Sequence, residues 1–336
     1  MSVKVLFIGG TGIISSACSS LAVEKGLDLY LLNRGTTASR PIPDGATVLN
    51  ADIRDPASVR SAIEGHTFDV LVDWIAYTPE QVETDLELFR GRTGQYIFIS
   101  SASAYQTPPT SLPITESTVL ANPFWAYSRN KIACEERLIR AYREENFPAT
   151  IVRPSHTYDR TTLPLTGGYT AIHRMRQGKP VVVHGDGTSL WTLTHHKDFA
   201  KGFVGLLGNP RAVGEAFHIT SDEVVTWDQI YRIFAAAAGA PPPTLVHVPS
   251  EVIAAYDSRW GDGLLGDKAH SMVFDNTKIK RFVPDFAAGI PLSWGAKEIL
   301  AWYDADPARQ VVDTRIDGLI ETLIEAQKRA LPPSGS

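Results

Sequence analysis

Short apolar runs alternate with longer amphipathic stretches along the first 155 residues of the chain. Each apolar run is rich in β-branched and aromatic residues and ends near Gly, Asn or Pro, which is typical of buried strands. Six strands are predicted, at residues 3–8, 27–32, 47–50, 69–74, 96–100 and 150–152. The stretches between them have helical periodicity, so the pattern predicts a Rossmann-like, doubly wound α/β fold with a parallel sheet.

The alternation loosens after Arg153-Pro154. Helices are predicted at residues 171–176, 227–238, 251–258 and 294–303, and strands at 181–183 and 217–219. This part predicts a smaller C-terminal α/β substrate lobe. The expected division is a dinucleotide-binding domain of residues 1–160 and 181–220, a lobe of residues 161–180 and 221–330, and a disordered tail at 331–336.

Composition narrows the functional class. The 336 residues are 43% hydrophobic and 21% charged with a net charge of −5, so nothing favours nucleic acid or an anionic membrane as a partner. No apolar run reaches membrane-spanning length and the first residues lack a signal-peptide pattern, so the cytoplasm is the expected compartment. Cys18 and Cys134 fall in predicted helices and are expected to be small buried residues.

A glycine turn, Gly9-Gly10-Thr11-Gly12, follows the first strand and opens the first helix. Such a turn brings backbone N–H groups and a helix N-terminus onto a pyrophosphate, which predicts dinucleotide binding. The predicted contacts include the turn itself and the two residues after it, Ile13 and Ile14. Ser15 replaces the third glycine of the usual fingerprint, and its small size suits close helix–strand packing.

The second strand ends in Asn33-Arg34 instead of an acidic residue, and Arg40 follows. A guanidinium suits a 2′-phosphate, so the predicted cofactor is NAD(P), with NADP favoured over NAD. Arg34 could equally be solvated or stack on adenine. Asp52 and Ile53, after the third strand, are predicted to contact adenine, although Asp52 could instead cap a helix.

Tyr127 and Lys131 are four residues apart at the start of a predicted helix, so their side chains share one face. A phenol has a reference pKa of about 10, and an ammonium group beside it favours the phenolate. The pair can therefore exchange a proton with an alcohol or a carbonyl.

The order of these motifs resembles the extended short-chain dehydrogenase/reductase superfamily, specifically its NAD(P)-dependent sugar epimerase/dehydratase family. The motifs that carry the resemblance are Gly9–Gly12, Ser100-Ser101-Ala102-Ser103-Ala104-Tyr105, Tyr127 with Lys131, and Arg153-Pro154. The resemblance implies that Ser101 bonds the reacting oxygen, Tyr127 is the acid/base, and Lys131 holds the nicotinamide ribose and lowers the Tyr127 pKa. It also implies a cofactor contact at Pro154, a sugar-like small-molecule substrate and a possible homodimer.

Several positions depart from that family. Trp191 stands where an Arg that clamps a nucleotide diphosphate is common, His156 replaces an Asn, and Asp73-Trp74-Ile75-Ala76 replaces a His-x-Ala-Ala stretch. The substrate therefore either lacks a diphosphate or meets another cation, such as Arg174 or Arg259. The predicted substrate contacts are Ser103, Tyr105, Trp125, His156 and Trp191.

Other polar and aromatic residues suggest further hypotheses. His184, His195 and His196 lack a recognisable ligand pattern, so no metal site is predicted. Trp74, Tyr77, Trp125 and Trp191 could form an aromatic wall for a sugar-like ring, or could each be core residues. Asp198 precedes an apolar run and is expected to cap a helix.

The leading hypothesis is an NAD(P)-dependent epimerase/dehydratase acting on a sugar, sugar nucleotide or related polyhydroxylated small molecule. An NADP(H)-dependent net ketoreductase is one alternative. A second alternative is a non-redox RNA-binding protein, because residues 32–35 and 72–77 are similar to chloroplast relatives associated with RNA.

Overall fold

A seven-stranded parallel sheet forms the centre of the molecule, seen in a computed structural model that describes residues 2–35 and 40–330. Its strands are β1 Lys4–Ile8, β2 Asp28–Asn33, β3 Thr47–Asn50, β4 Phe68–Asp73, β5 Thr93–Ile99, β6 Ala149–Pro154 and, later in the chain, β11 Ala216–Ile219. The six strands predicted before residue 155 are confirmed within a few residues. The predicted tail at 331–336 lies outside the described residues.

The strand order, β11-β6-β5-β4-β1-β2-β3, reverses direction at β1. Ile8, the last residue of β1, lies opposite Leu32 of β2 on one side and Asp73 of β4 on the other. The carboxyl ends of β1, β2 and β4 therefore meet at one edge, where open α/β sheets bind their ligands. The prediction of a Rossmann-like sheet is confirmed.

Twelve helices accompany the strands within the described residues: α1 Ile13–Glu24, α2 Pro56–Ala62, α3 Pro79–Phe89, α4 Ala126–Glu145, α5 Tyr169–Arg176, α6 His196–Val204, α7 Trp227–Ala237, α8 Ser250–Tyr256, α9 Ser258–Gly263, α10 Thr277–Phe282, α11 Leu292–Asp304 and α12 Thr314–Ala330. Successive residues of β1 point to opposite faces of the sheet. Val5 and Phe7 join the core beneath α1 and α6, whereas Leu6 and Ile8 join the core beneath α2, α3 and α4. Both faces of the sheet are thus covered.

The C-terminal part packs around its own apolar core, which includes Trp191, Trp227 and Phe234. Its short strands are β7 His156–Tyr158, β8 Val181–His184, β9 Leu190–Trp191, β10 Leu193–His195, β12 Val225–Thr226 and β13 Leu245–Val248. They form three two-stranded pairs, β7 with β10, β8 with β13 and β9 with β12. The sequence placed residues 181–220 with the large sheet, yet β8 pairs within the lobe; the domain boundaries remain a prediction.

Three further differences from the sequence predictions concern helices. The helix predicted at 251–258 is present as α8, but the sequence did not predict α9 after it or the π-helical turn at Leu264–Lys268 that follows. The sequence did not predict α12, which packs against β8 and β13. Asp198 is not a helix cap: it lies inside the first turn of α6 and accepts from the Ile290 N–H and the Lys201 ammonium.

Both cysteines are free and buried, Cys18 in α1 and Cys134 in α4, as the sequence predicted. Among the described helices, none combines the length and apolar character that crossing a bilayer requires.

Candidate active site

The glycine turn after β1 has a backbone that only glycine adopts without strain. Gly9 and Gly10 have φ angles of +95° and +122°. A Cβ atom on Gly10 would lie 2.8 Å from Leu31 Cδ2, so the turn can pass over β2 only because that atom is missing. Gly12 caps α1, and its N–H donates to Ser15 Oγ at 2.7 Å. The serine in place of the third glycine therefore fixes the entry into the helix.

A cavity of about 660 Å³ lies over this edge of the sheet. Its walls are the glycine turn, the ends of β2, β3 and β4, and the first half of α3. Seven of the predicted cofactor contacts line it: Gly9, Thr11, Gly12, Asn33, Arg34, Asp52 and Ile53. The other five, Gly10, Ile13, Ile14, Lys131 and Pro154, lie outside its lining.

The cavity fits the dinucleotide that the sequence implies. Its floor is a turn in which a Cβ would collide with β2, next to the N-terminus of a 12-residue helix. Backbone N–H groups and the positive end of a helix dipole favour a pyrophosphate at this place. The backbone shape of the turn, and not only the spacing of its glycines in the sequence, therefore suits a dinucleotide.

Two polar residues at the end of β2 behave differently. With its amide nitrogen facing the turn, Asn33 donates to the carbonyl oxygens of Gly9 and Leu32, both at 3.1 Å, and so ties β2 to the glycine turn. Arg34 is half exposed, with Nη1 4.0 Å from Asp52 Oδ2. Asp52 is not a helix cap, because Asp55 caps α2. Its carboxylate shares the cavity rim with Arg34 and would oppose a 2′-phosphate there.

Arg40, considered for the same phosphate, is engaged elsewhere. Its Nε donates to Asp159 Oδ2 at 2.6 Å and its Nη2 donates to Thr161 Oγ1 at 2.8 Å. These contacts hold Arg40 against the loop that follows β7.

Three hydroxyl groups form a chain after β5. Ser101 caps a short 3₁₀ turn, Ala102–Ala104, and its Oγ lies 2.9 Å from Ser103 Oγ. Ser128, one residue after Tyr127 in α4, donates to Ser103 Oγ at 2.8 Å. Ser103 is buried, so the structure shows it as a support that orients Ser101 and not as an open surface for a substrate.

Tyr127 lies at the N-terminal end of α4 among aromatic side chains. Its ring centre is 4.9 Å from that of Trp125 and 6.2 Å from that of Tyr77. Burial raises the pKa of Tyr127 to about 12, the hydrogen bond with Ser101 acts to lower it, and Tyr77 and Asp267 raise it further. The phenol is therefore protonated at neutral pH, as an acid that donates a proton must be.

Lys131 is buried one helical turn below Tyr127. Its ammonium donates to the carbonyl oxygens of Ala76 at 2.6 Å and Ile99 at 2.7 Å. It lies 5.9 Å from the centre of the Tyr127 ring and 4.5 Å from that of Tyr77. Burial lowers the Lys131 pKa to about 8, against the attraction of Asp73. The structure thus brings Ser101, Tyr127 and Lys131 together at the ends of β5 and β4, although the direct effect of Lys131 on the Tyr127 pKa remains a prediction.

The lobe contributes the π-helical turn Leu264–Lys268, which the sequence did not identify. Asn122 holds it by donating from Nδ2 to the Gly266 carbonyl at 2.7 Å. Gly266 has to be a glycine, because a Cβ there would lie 2.6 Å from Trp125 Cβ. The turn places the Lys268 ammonium 5.8 Å from the ring centres of both Trp125 and Trp191. π-Helical turns occur frequently at functional sites.

Two further predicted substrate contacts, besides Ser103, are corrected by their burial. Tyr105 is fully buried, with its hydroxyl 3.0 Å from His218 Nδ1 and the Arg153 guanidinium 4.8 Å from its ring centre. Trp191 is 1% exposed and packs against Trp227 in the lobe core. Neither side chain presents a surface that a ligand could contact.

His156 and Trp125 remain next to the lobe side of the site. His156 Nδ1 accepts from Trp191 Nε1 at 3.1 Å. Burial, and secondly the charge of Lys268, lower the pKa of His156 to about 3, so the imidazole is neutral. Of the proposed aromatic wall, Tyr77 and Trp125 flank Tyr127, whereas Trp74 is a core residue packed against Phe7 and Phe203.

The alternative cations and the histidines have structural surroundings. Arg174 is buried in ion pairs with Asp317 at 2.6 Å and Glu321 at 2.8 Å, and Arg259 is exposed on α9. His184 lies 2.9 Å from the Lys268 carbonyl and His195 pairs with Glu298 at 3.0 Å. In the described part of the chain, no three His, Cys, Asp or Glu side chains form a group that could hold a metal ion.

Known proteins resemble this chain in sequence and in fold. The model of the NAD dependent epimerase/dehydratase family matches residues 5–220. The chain is 30% identical over 261 residues to the chloroplast stem-loop binding protein of 41 kDa b from Arabidopsis thaliana, covering 73% of this chain and 65% of that protein. It is 25% identical to 2′-dehydrokanamycin reductase of Streptomyces kanamyceticus, over 85% of this chain and 80% of the relative.

A solved structure of similar fold is the dTDP-glucose 4,6-dehydratase of Bacillus anthracis in complex with NAD. It superposes with a TM-score of 0.73 and 17% identity, over 91% of this chain and 98% of the other. At that identity the likeness shows the fold.

Proposed function

The chain belongs to the NAD dependent epimerase/dehydratase family, and on that premise we propose that it transforms a sugar or another polyhydroxylated small molecule by hydride transfer with Tyr127 as acid/base. The carrying observation is that Ser101, after β5, meets Tyr127 and Lys131 of α4 at the sheet edge that holds the cavity beside the glycine turn. A nicotinamide cofactor bound there would accept or supply the hydride.

The three residues have separate tasks in this proposal. Tyr127, protonated at neutral pH, gives its proton to a substrate carbonyl oxygen or regains it from a hydroxyl. Ser101 donates a second hydrogen bond to the same oxygen. The hydroxyls of Ser103 and Ser128 keep the Ser101 side chain oriented. Lys131 is charged below pH of about 8 and places a cation beneath the phenol.

We propose NAD(P) as the cofactor, with Gly9, Gly12 and Asn33 building the pyrophosphate end of the cavity. The choice of NADP depends on Arg34. Because Asp52 lies beside it, a 2′-phosphate would have to take over the guanidinium from that carboxylate. NADP is thus favoured only if Arg34 turns away from Asp52 on binding.

The substrate lies, in this proposal, between Tyr127 and the lobe, near Trp125, His156 and the Asp267–Lys268 pair. Lys268 Nζ is 3.2 Å from Asp267 Oδ2. The Asp267 carboxyl is near enough to Tyr127 to raise the pKa of its phenol. An aromatic face and a neutral imidazole suit a sugar ring with hydroxyl groups. Trp191 does not take the place of the missing Arg, because its indole is buried.

Replacing Tyr127 by Phe tests the mechanism. The variant keeps the ring that packs on Trp125 and removes the acid, so we expect turnover to fall about 10²- to 10⁴-fold while the fold is retained. The assay follows the conversion of dTDP-glucose, UDP-glucose and their keto derivatives into product by chromatography, together with any net oxidation or reduction of the nicotinamide. Tyr142→Phe is the matched control, because Tyr142 is exposed on the same helix. Wild-type turnover by Tyr127→Phe would contradict the proposal.

A net ketoreductase is the second form of the same chemistry, and the relative named 2′-dehydrokanamycin reductase favours testing it. An epimerase or dehydratase restores its cofactor within one turnover, whereas a reductase releases it. Mass spectrometry of the purified protein separates the two. NAD(P) that stays bound to the protein through purification supports internal recycling. Consumption of one added NADPH per product molecule, followed by absorbance, supports net reduction.

RNA binding is a candidate function because the first relative is named a stem-loop binding protein, of which the matched region spans 65%. The net charge of −5 argues against it. Filter binding of a stem-loop RNA over a salt series tests it. Tight binding that weakens steeply with salt, in protein that turns over no nicotinamide, would favour this function over the enzyme.

We further propose a cytoplasmic location and a homodimer. The two free, buried cysteines support a reducing compartment. Light scattering of the purified protein would test the dimer.

A further inference from the structure

Two buried carboxyl groups meet beside the cofactor cavity, and the proposed mechanism uses neither. Asp73 ends β4 and Asp85 lies in the middle of α3; both line the cavity and are 2% and 1% exposed. Asp73 Oδ1 accepts from the N–H groups of Ile75 at 2.6 Å and Ala76 at 2.9 Å. Asp73 therefore fixes the segment whose Ala76 carbonyl holds Lys131.

Asp85 has one satisfied oxygen and one that faces no donor. Tyr96 donates its hydroxyl to Asp85 Oδ2 at 2.5 Å. Asp85 Oδ1 is buried without a partner among the described residues unless it carries a proton, in which case it can donate to Asp73. Burial raises the pKa of Asp85 well above its usual range, and Asp73 raises it further.

The charged and titratable groups around this pair are Tyr77 in the segment after β4, Tyr96 on β5, and Lys131 and Cys134 on α4. Glu135, also on α4, acts on Lys131, and Arg153 on β6 acts on Glu135. Glu135 is taken up by Arg153, at 2.5 Å. Lys131 is thus left as the cation that balances the carboxyl pair. Two carboxylates at this depth would bring two negative charges against one ammonium, whereas a shared proton leaves one against one.

We propose that Asp73 and Asp85 share one proton, and that the resulting single negative charge is the positioning element that keeps Lys131 charged beside the cofactor cavity. The shared proton rests on the burial of both carboxyl groups and on the unpartnered Oδ1 of Asp85, and it does not depend on the proposed function. The effect on Lys131 rests on the proposed function, in which that ammonium faces the cofactor.

Isosteric substitutions distinguish a proton-sharing carboxyl pair from two separately ionised carboxylates. In Asp85→Asn the amide oxygen can accept from Tyr96 and the amide nitrogen can donate to Asp73, so the pair keeps its single charge. In Asp73→Asn the amide oxygen still accepts from Ile75 and Ala76, but the charge next to Lys131 is lost. Glu87→Gln, an exposed position on the same helix, is the matched control.

The shared proton is measured by infrared spectroscopy at pH 7. The spectrum of wild type minus Asp85→Asn should contain a carboxylic-acid carbonyl band, and the spectrum of wild type minus Glu87→Gln should contain only carboxylate bands. The subtraction removes other buried acids such as Asp267, whose pKa burial also raises. Absence of the acid band would overturn the proposal, and so would its persistence in Asp85→Asn.

The consequence for Lys131 is measured by the pH dependence of NADH binding, followed by the fluorescence of the reduced cofactor. In wild type the affinity should fall as the pH rises through about 8, where Lys131 loses its proton. Asp73→Asn should move this fall to lower pH by about one unit or more, because an opposite charge has been removed. Asp85→Asn should leave it in place.

An Asp85→Asn variant that shifts as Asp73→Asn does would show that Asp85 is ionised, and the single-charge arrangement would be wrong. If no form of the protein binds NADH or NADPH, the proposed function fails while the infrared band still decides whether the proton is shared. If either Asn variant does not fold, the acid band of an Asp267→Asn variant decides the same point, because that substitution removes the band of Asp267, whose pKa burial also raises. A band that remains supports the shared proton, and its absence overturns it.

Discussion

The sheet half and the C-terminal lobe build their shares of the site in different ways. In the sheet half, the groups lie at the ends of neighbouring parallel strands: the glycine turn follows β1, Asn33 ends β2, Asp73 ends β4 and Ser101 follows β5. In the lobe, one π-helical turn at Leu264–Lys268 supplies the residues nearest Tyr127, and it is held by a contact with Asn122, 144 residues away. The cofactor end is thus fixed by local backbone geometry, and the substrate end by tertiary contacts.

This difference predicts that the two ends can be damaged separately. The largest effect is expected at the glycine turn. Gly10→Ala adds an atom 2.8 Å from Leu31 Cδ2 at a φ of +122°, so the turn must move. Strain and overpacking of 1–3 kcal/mol would lower NAD(P)H affinity on the order of 10- to 100-fold. Titration of cofactor fluorescence measures it.

Gly26→Ala is the control for Gly10→Ala, because Gly26 also has a positive φ of +76° but nothing lies within 4 Å of its added Cβ. It should lose some stability and keep its cofactor affinity. Equal losses of affinity in both variants would show that backbone strain alone, and not the shape of the turn, governs binding.

The counterpart in the lobe is Gly266→Ala. Its Cβ would lie 2.6 Å from Trp125 Cβ and push the π-helical turn away from Tyr127. We expect kcat/KM for the substrate to fall about tenfold, since 1–3 kcal/mol of overpacking falls on the substrate end. Cofactor affinity should change less than about twofold. Gly263→Ala, one residue before the turn and free of contacts within 4 Å, should do neither.

The same difference explains what the sequence could reveal. The strands and the glycine turn are encoded locally, by apolar runs and by residues that tolerate positive φ, so they were predicted within a few residues. Lys268 and Asp267 lie near Tyr127 only because the lobe folds back onto Trp125. No spacing along the chain signals that contact. The sequence likewise predicts Trp191 and Tyr105 as pocket residues, because nothing local shows that packing buries them.

The carboxyl pair left a signal that could have been recognised. Asp85 shares a helical face with Val82, Leu86 and Phe89, all buried, so a charged residue interrupts an apolar stripe. Lys131 interrupts the buried face of α4 in the same way. An ionisable residue on an otherwise apolar face is rarely buried without a partner or a function. Naming that partner required the sheet topology.

A smaller effect on cofactor affinity is expected at the rim of the cofactor cavity, where side chains and not the backbone contact the ligand. Arg34→Ala removes a half-exposed guanidinium, and exposed charge pairs are worth at most about 1 kcal/mol. NADPH affinity should therefore fall up to about fivefold, with NADH affinity unchanged. Parallel fluorescence titrations with the two cofactors measure the ratio. A loss that is equal for both would mean that Arg34 stacks on adenine and does not meet a 2′-phosphate.

The smallest effect is an acid sensitivity of the lobe. Burial is the main cause that lowers the pKa of His156 to about 3 and of His184 to about 4. In the unfolded chain both histidines have pKa values of about 6.5, so as the pH falls they bind protons in the unfolded state before they do so in the folded state. The free energy of unfolding of the lobe is therefore at its full value above pH of about 6.5 and declines as the pH falls toward 4. Between pH 7.5 and 6 the loss is less than about 1 kcal/mol per histidine. Hydrogen exchange should show it in peptides of β7, β8 and β13 and not in those of β1 and β4. In His156→Gln the amide oxygen can still accept from Trp191, and the decline of lobe stability at low pH should be smaller. An unchanged decline would show that protonation of His156 does not cause it.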